Sequence, residues 1–316
     1  MTKKLIFGLQ FLATLLIFYL IVRRWSISLP RLTVHFSDLR WLILSFLLAA
    51  GLVQLLAAFR WKIILAFFRL KPSLGELLKI NFQSIFWGTF LPSADGFAAF
   101  RMLLIERKYP LTPGRAGGSI VVEKLLGMLC LCVLGFFFSF WESSVPNLPH
   151  IRFIILILIF IILALGFVIF GRKKVKLIFK PRCQVLKKII SFIRNMRTAL
   201  QELPLGRLAA AVLPLIIIIQ LLTFFNVFLL FKVMSSEVSP MTILALVPII
   251  QLISLLPVTI SGLGIREGAF VYFFGWQGIS AEIAFAVSLL NFLILNGIPA
   301  LIGGALSLKK QFQTAG

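Results

Sequence analysis

The sequence predicts an all-α polytopic membrane protein with about six full spans and two Pro/Gly-broken re-entrant hairpins, which form an inverted-topology repeat. Three observations support this fold class. Hydrophobic residues make up 60% of the 316 residues, and the mean hydropathy of +1.05 is too high for a soluble domain. Apolar runs near the ~20 residues that cross a bilayer recur along the chain. Two of these runs are interrupted by proline and glycine and resemble each other.

Six apolar runs are long enough to be full spans. The first has the basic start of a signal peptide, but its core is long and no Ala-x-Ala cleavage site follows, so we expect a retained helix. The whole chain, 1–316, is expected to form a single transmembrane domain. The predicted spans are roughly 5–22, 41–59, 116–140, 151–171, 207–231 and 281–308, and the interrupted runs are about 77–100 and 242–277.

The distribution of charge between the loops predicts the orientation. Segment 172–207 holds eleven Lys and Arg residues against one acid, whereas 141–150 and 233–240 contain acids and no Lys or Arg. Because basic loops stay in the cytoplasm, the first segment is expected inside and the other two outside. Counting spans from there places the N- and C-termini on the cytoplasmic side of the cell membrane. Segment 23–40, with four arginines, is the one discordant piece.

Within this region, 172–206 is expected to be a basic amphipathic cytoplasmic loop. Apolar residues recur at helical spacing opposite basic ones, which predicts a helix in the membrane interface that could contact anionic lipid headgroups. A passive topology signal is the commoner role of such a charge run. The net charge of +22 lies in short loops, so nucleic acid is not an expected partner. Three scattered cysteines and two scattered histidines predict no metal site, and no cofactor is expected.

The two interrupted runs contain similar segments, 91-LPSADGFAAFR-101 and 256-LPVTISGLGIR-266. Each begins with Leu-Pro and ends with Arg at the same offset. A basic loop, 60–79, precedes the first segment and an acidic loop, 233–240, precedes the second, so the two are expected to enter from opposite faces. The predicted halves are about 60–140 and about 233–308, and broken segments at matching positions of two inverted halves indicate a transport site near the bilayer midplane.

The similarity continues downstream of each arginine. A helix-start signal follows, Thr112-Pro113 in one half and Ser280 in the other, and a long apolar span comes next. Eleven residues after each start lies a polar residue, Glu123 in the first half and Asn291 in the second. Asn291, with Asn296 and Gln251, is expected to hydrogen-bond between helices rather than bind a ligand.

The broken segments have the chemistry of an anion site. Helices stopped by proline and glycine leave unpaired N–H groups and a positive dipole end, to which Arg101 and Arg266 add full charges. Phosphate suits a guanidinium beside a helix end. Acidic residues are expected to pair with the arginines or with Lys124; the alternative is that these are structural salt bridges that pin two hairpins. The candidate substrate-binding residues are Arg101, Arg266, Glu267, Asp95, Glu123, Lys124, Gly262 and Gly264.

At these residues the chain resembles the membrane region of the lysylphosphatidylglycerol synthase family, also described as flippase-like or multiple-peptide-resistance-factor-like. The resemblance extends over essentially all of the chain in span order. Asp95 precedes Gly96 where the family's acid follows its glycines, and Glu123-Lys124 stands where the family has Glu-Arg. The segments that carry it are 91–101, 119-SIVVEKLLG-127, 256-LPVTISGLGIREGAF-270 and 278-GISAEIAFAVSLL-290.

The resemblance implies movement of a phospholipid between leaflets. In the full-length enzymes an attached cytoplasmic domain aminoacylates the lipid, and no stretch here is long enough to be that domain. We therefore expect a phospholipid flippase-like transporter of an anionic or aminoacylated headgroup, or of an isoprenoid-linked sugar. The alternatives are a membrane component of a lipid-linked transferase and a scaffold for a separately encoded synthase. The ten acids are scattered singly, which disfavours an enzyme.

Overall fold

The computed structural model describes residues 12, 14, 16–17, 19–25, 39–89, 96–109, 114–143, 145–146, 148–171, 184–256, 259 and 262–314, with side chains omitted at 184–190 and 309–314. Within these ranges the regular structure is entirely helical. The helices are α1 Leu39–Phe67, α2 Leu74–Thr89, α3 Gly96–Lys108, α4 Arg115–Phe138, α5 Leu148–Phe170, α6 Gln184–Gln201, α7 Leu205–Val233, α8 Pro240–Ser254, α9 Ile265–Gly275 and α10 Ala281–Leu308. Beyond Leu308, the helical conformation of α10 continues to Thr314.

Five of these helices, α1, α4, α5, α7 and α10, are long and apolar enough to cross a membrane. They coincide with five of the six predicted spans, and most of the remaining one, 5–22, lies outside the described residues. Ser280 caps α10, because its Oγ accepts a hydrogen bond from the Ile283 N–H at 3.4 Å. The predicted start signal Thr112-Pro113 lies outside the described residues.

Helix α1 is longer than the sequence predicted. The predicted span ended at residue 59 and a loop was expected at 60–79, but the helix continues to Phe67 and α2 begins at Leu74. Trp61, Ile64 and Leu65 are fully buried in this extension, so their burial holds the chain in a helix past the first basic residue. Arg60 consequently lies inside a helix of membrane-spanning length.

Each interrupted run forms two helices, α2 and α3 in the first half and α8 and α9 in the second. The breaks at 90–95 and 257–261, of which only Thr259 is described, include both Leu-Pro prolines and Asp95. Glu76, in the first turn of α2, accepts a hydrogen bond from Tyr109 Oη at 2.6 Å and pairs with Lys108, at the end of α3. The start of α2 and the end of α3 are therefore at one end of the bundle.

Lys108, Tyr109 and the Ser73 N–H together lower the pKa of Glu76 to about 2. In the second pair, the ring centroids of Phe274, near the end of α9, and Phe231, near the end of α7, are 4.6 Å apart, so the end of α9 lies close to the start of α8.

Helix α7 is at the centre of the bundle and contacts α1, α4, α8 and α10. Its buried residues belong to two separate apolar cores. One core includes Phe224 and Val238, and the other includes Ile216 and Leu203. The first core lies toward the acidic 234–239 connection and the second toward the connection after α6. Gln220 lies on α7 between the residues of the two cores.

Helices of the two predicted halves pack against each other. Helix α2 of the first half packs most extensively on the C-terminal part of α10, and α8 of the second half packs on α4. Each half therefore buries its first helix against the last helix of the other. Gly303 permits the first contact, because a Cβ there would lie 1.9 Å from the carbonyl oxygen of Phe82.

We expect the Gly303→Ala substitution to destabilise the protein by about 1–3 kcal/mol, since the added methyl group forces α2 and α10 apart. The measurement is the thermal unfolding midpoint in detergent. Gly166→Ala is the matched control, because a Cβ at Gly166 meets nothing within 4 Å. Equal midpoints for the two variants would show that α2 and α10 are not in close contact.

The predicted amphipathic helix of the basic loop is present as α6. Part of its apolar side contacts protein: Cβ atoms at Gly114 and Gly117 would lie 2.4 Å from the Met196 nitrogen and 2.9 Å from the Phe192 ring. Gly114 also has a φ of +106°, which favours glycine. This end of α6 therefore docks on the start of α4, so only the remaining apolar surface is available to lipid.

Candidate functional site: a cationic cavity between the two halves

A cavity of about 580 Å³ lies among the helices between the two apolar cores. Four lining residues lie, along their helices, between the buried residues of one core and those of the other. They are Val53, Gln54 and Ala57 on α1 and Gln220 on α7. The volume is within the range of small-molecule binding sites. Helices of both predicted halves contribute to the wall, so the cavity is formed at their interface.

The charged residues that line this cavity are mostly basic. Arg60, Arg101, Lys124 and Arg266 are cations, and Glu123 is the one carboxylate among the described lining residues. Arg101 comes from the first predicted half and Arg266 from the second. The structure thus brings the arginines of the two similar segments to one cavity, together with Glu123 and Asn291, the polar residues eleven positions beyond the two helix-start signals.

Arg101 is held by aromatic rings and by Glu123. Its guanidinium carbon lies 3.8 Å from the centre of the Trp61 ring and 5.0 Å from that of Phe97, which is favourable cation–π geometry. Trp61 is itself oriented by a hydrogen bond from its Nε1 to Ser119 Oγ at 3.2 Å. The Arg101 residue is 3% exposed. A buried guanidinium stacked in this way is fixed in orientation.

Glu123 is shared by two arginines. Arg101 Nη1 lies 3.0 Å from both carboxylate oxygens and donates to Oε1, to which Arg60 Nη2 also donates. The second oxygen, Oε2, accepts no hydrogen bond, and neither Nε nor Nη2 of Arg101 donates one within the described part of the chain. Since buried donors are normally paired, the cluster retains hydrogen-bonding capacity for an oxyanion.

Arg266 is positioned by Glu267. Its Nη2 and Nε lie 2.7 and 3.1 Å from Glu267 Oε1, which also accepts a hydrogen bond from Ser288 Oγ at 3.2 Å. The Gly264 N–H donates to the other oxygen at 2.5 Å, so this carboxylate also caps the start of α9. Glu267 is fully buried. Glu267 therefore holds Arg266 in place but does not itself line the cavity.

The two glycines predicted as ligands form the turn before α9. Gly262 and Gly264 have φ values of +73° and +88°, which other residues adopt only with strain. A Cβ at Gly262 would also lie 2.9 Å from the carbonyl oxygen of Ser254, at the end of α8. The Gly264 N–H is already used by Glu267. These glycines shape the turn that presents Arg266.

The equal sequence offsets of the two arginines do not give equal positions in the helices. Arg266 is the second residue of α9, at the positive end of its dipole, whereas Arg101 is the sixth residue of α3. The expected helix-end environment therefore applies to Arg266 alone. Asp95, the remaining predicted site residue, lies outside the described residues.

Asn291 forms the expected hydrogen bond between helices. Its Oδ1 accepts from Asn226 Nδ2 of α7 at 3.0 Å, and Asn226 Oδ1 accepts from Ser45 Oγ of α1 at 2.7 Å. This buried chain ties α1, α7 and α10 together beside the cavity. Gln251 and Asn296 also line the wall.

Arg60 is the site residue that the sequence reasoning missed. The predicted span ended at residue 59, which assigned Arg60 to a cytoplasmic loop. The available signal was the run 61-WKIILAF-67, which is apolar except for Lys62 and extends the helical pattern well past Arg60. An arginine followed by two further apolar turns is inside a span, and such residues are functional candidates.

Two π-helical segments meet beside the cavity, Leu47–Val53 in α1 and Leu293–Gly297 in α10. Gln54 Nε2 donates to the carbonyl oxygen of Leu295 at 3.1 Å, which joins them. π-Helical turns widen a helix and free backbone carbonyls, and they occur preferentially at functional sites. Within the described ranges, no group of three His, Cys, Asp or Glu residues could hold a metal ion.

Comparison with known proteins agrees with this picture of a membrane bundle. The family model described as lysylphosphatidylglycerol synthase TM region matches residues 5–303. The chain is also 24% identical over 280 residues to the UPF0104 membrane protein MJ1595 of Methanocaldococcus jannaschii, covering 83% of this chain and 82% of that protein. This multi-pass helical chain belongs to the lysylphosphatidylglycerol synthase transmembrane-region family.

Proposed function

We propose that the protein is a flippase-like transporter that moves a phospholipid headgroup between leaflets through the cationic cavity. The observation that carries the proposal is that Arg101 and Arg266, from two similar segments of the sequence, line one cavity between the two apolar cores. Guanidinium groups bind phosphate through several donors. A phosphate at this depth can be reached from either leaflet when the surrounding helices move.

The proposed mechanism uses the two helix pairs as inverted re-entrant hairpins. The start of α2 lies beside the end of α3, and the end of α9 lies beside the end of α7, which supports a return of each hairpin to the face it came from. Because each half packs its first helix on the other half, a tilt of one pair changes access on one side. The acyl chains remain in lipid while the headgroup occupies the cavity.

The residues of the site divide into a supporting group and a binding group in this proposal. Glu267 fixes Arg266, and Trp61 and Glu123 fix Arg101. The free donors on Arg101 then bind the phosphate oxygens, with Arg266 on the opposite half. The termini are proposed to be cytoplasmic, on the side of the basic loop.

The test is leaflet translocation by the full chain in vesicles that contain headgroup-labelled phosphatidylglycerol. Arg266→Ala and Arg101→Ala are each expected to slow translocation about 10- to 100-fold, because a hydrogen bond to a charged group contributes about 1.5–3 kcal/mol. In Arg101→Ala, Glu123 keeps Arg60 as its ion-pair partner, and in Arg266→Ala, Glu267 keeps hydrogen bonds from the Gly264 N–H and Ser288 Oγ. Translocation rates are therefore compared at equal amounts of folded protein in the vesicles.

Lys62→Ala is the matched control, since Lys62 lies on α1 near Arg60 but outside the cavity wall. It should translocate lipid at the wild-type rate. Wild-type rates in both arginine variants would rule out the flippase, as would wild-type vesicles no faster than protein-free ones.

A further inference from the structure

We propose that the cavity selects a lipid headgroup of net negative charge and rejects headgroups that carry an ammonium group. This inference deepens the proposed function and rests on it. The lysylphosphatidylglycerol synthase family name suggests an aminoacylated, cationic lipid. The described wall of this chain has the opposite chemistry.

The first argument is the excess of positive charge. Arg60, Arg101 and Arg266 line the cavity with side chains at most 14% exposed, and Glu123 is the one described acidic residue in the wall. Adding the buried Glu267 behind Arg266 still leaves more cations than carboxylates. An excess of buried positive charge is unfavourable unless an anion neutralises it. A headgroup with a net negative charge supplies that anion, whereas a zwitterion or a cation does not.

The second argument concerns the two carboxylates, which are the groups that would receive an ammonium. Glu267 is fully buried and accepts hydrogen bonds from Arg266, Gly264 and Ser288. Its acceptor sites are therefore occupied by the protein.

Glu123 is flanked by Arg60 and Arg101. Its Oε2 accepts no hydrogen bond, but an ammonium placed there would face two guanidinium groups at close range. Like-charge juxtaposition of this kind is a means by which binding sites reject the wrong ligand.

The third argument is the unmet hydrogen-bonding capacity of Arg101. The residue is 3% exposed, lines the cavity and retains two nitrogens without an acceptor. Phosphate oxygens would satisfy them. A phosphomonoester carries more negative charge than a phosphodiester and neutralises more of the excess. The expected order of affinity is phosphatidic acid, then phosphatidylglycerol, then phosphatidylethanolamine, with lysylphosphatidylglycerol weakest.

The experiment is equilibrium competition on the full chain in detergent, with labelled phosphatidylglycerol as the probe and these four lipids as competitors with identical acyl chains. Phosphatidylethanolamine and lysylphosphatidylglycerol are each expected to compete at least about tenfold less well than phosphatidylglycerol, since one charge-assisted contact contributes about 1.5–3 kcal/mol. Equal competition by either lipid would overturn the inference.

Variants separate the cavity charge from general effects. Arg60→Gln removes one cation from the wall, leaves Glu123 paired with Arg101, and should reduce the preference for phosphatidylglycerol over phosphatidylethanolamine several-fold. Lys62→Gln, which lies outside the wall, should leave the preference unchanged. An unchanged preference in Arg60→Gln, or an equal fall in both variants, would count against a role for the wall charge.

A soluble competitor separates a lipid site from a site for free anions. Glycerol phosphate has the headgroup chemistry without acyl chains and should compete far less well than phosphatidic acid. Equal competition by glycerol phosphate would overturn the assignment of the ligand to a lipid. Binding without selectivity would defeat this inference and leave the flippase intact, whereas selective binding without translocation in vesicles would defeat the flippase alone.

Discussion

Glu267→Ala is expected to lower the free energy of unfolding by about 3–5 kcal/mol, because removing one partner of a buried ion pair leaves the other charge uncompensated. Arg266 would lose both of its hydrogen bonds to the carboxylate. The Gly264 N–H and Ser288 Oγ would lose their acceptor as well. These groups are buried or nearly so, and water cannot replace the carboxylate without entering the protein.

The measurement for Glu267→Ala is thermal or denaturant unfolding of the protein in detergent, from which the unfolding midpoint is read. Arg266→Ala is the informative comparison, since it leaves the buried Glu267 without a cation but with the Gly264 and Ser288 donors, and we expect a cost of similar size. The double variant Arg266→Ala/Glu267→Ala should recover part of the loss because it removes the unpaired charge. A Glu267→Ala protein as stable as the wild type would show that Glu267 does not anchor α9.

Glu123→Ala is expected to have an effect of similar size, about 3–5 kcal/mol, because it leaves Arg60 and Arg101 without their shared acceptor. The two guanidinium groups would then face each other across the cavity wall with no charge between them. The same change gives the cavity a greater positive excess. Anionic lipid should therefore stabilise this variant more than it stabilises the wild-type protein.

The check is a set of thermal unfolding curves with and without added phosphatidylglycerol. The shift in midpoint caused by the lipid should be larger for Glu123→Ala than for the wild type. Arg60→Ala serves as the comparison, because Glu123 then still pairs with Arg101 and no charge is left alone. If lipid shifts the Glu123→Ala midpoint no more than the wild-type midpoint, the positive charge of the cavity does not determine how strongly anionic lipid binds.

Much of the fold could be predicted from composition and periodicity. Five predicted spans coincide with α1, α4, α5, α7 and α10, and the interrupted runs contain the shorter helices α2, α3, α8 and α9. This was possible because a span must satisfy its backbone internally and face lipid with apolar side chains, which leaves a strong local signal. The helix end at Phe67 was missed because burial of Trp61 outweighed the basic residues beside it.

The candidate site was predicted in part. Matching offsets identified Arg101 and Arg266, and both line the cavity. The partners of these arginines could not be predicted from the matching offsets. Arg60 pairs with Glu123, 63 residues further along the sequence, and Trp61 stacks on Arg101 from another helix. Pairings of this kind depend on which helices are neighbours, and a single sequence does not contain that information.

Local signals in the chain established a helical membrane protein, the approximate limits of its spans and two related broken segments, because hydrophobicity, proline and glycine act over a few residues. The tertiary structure decided that α2 packs on α10 and α8 on α4, and that the arginines of the two segments share one cavity. It also decided that Glu267 anchors Arg266 from behind while Glu123 joins two arginines. These outcomes depend on close packing between helices far apart in the chain, which local propensity does not encode.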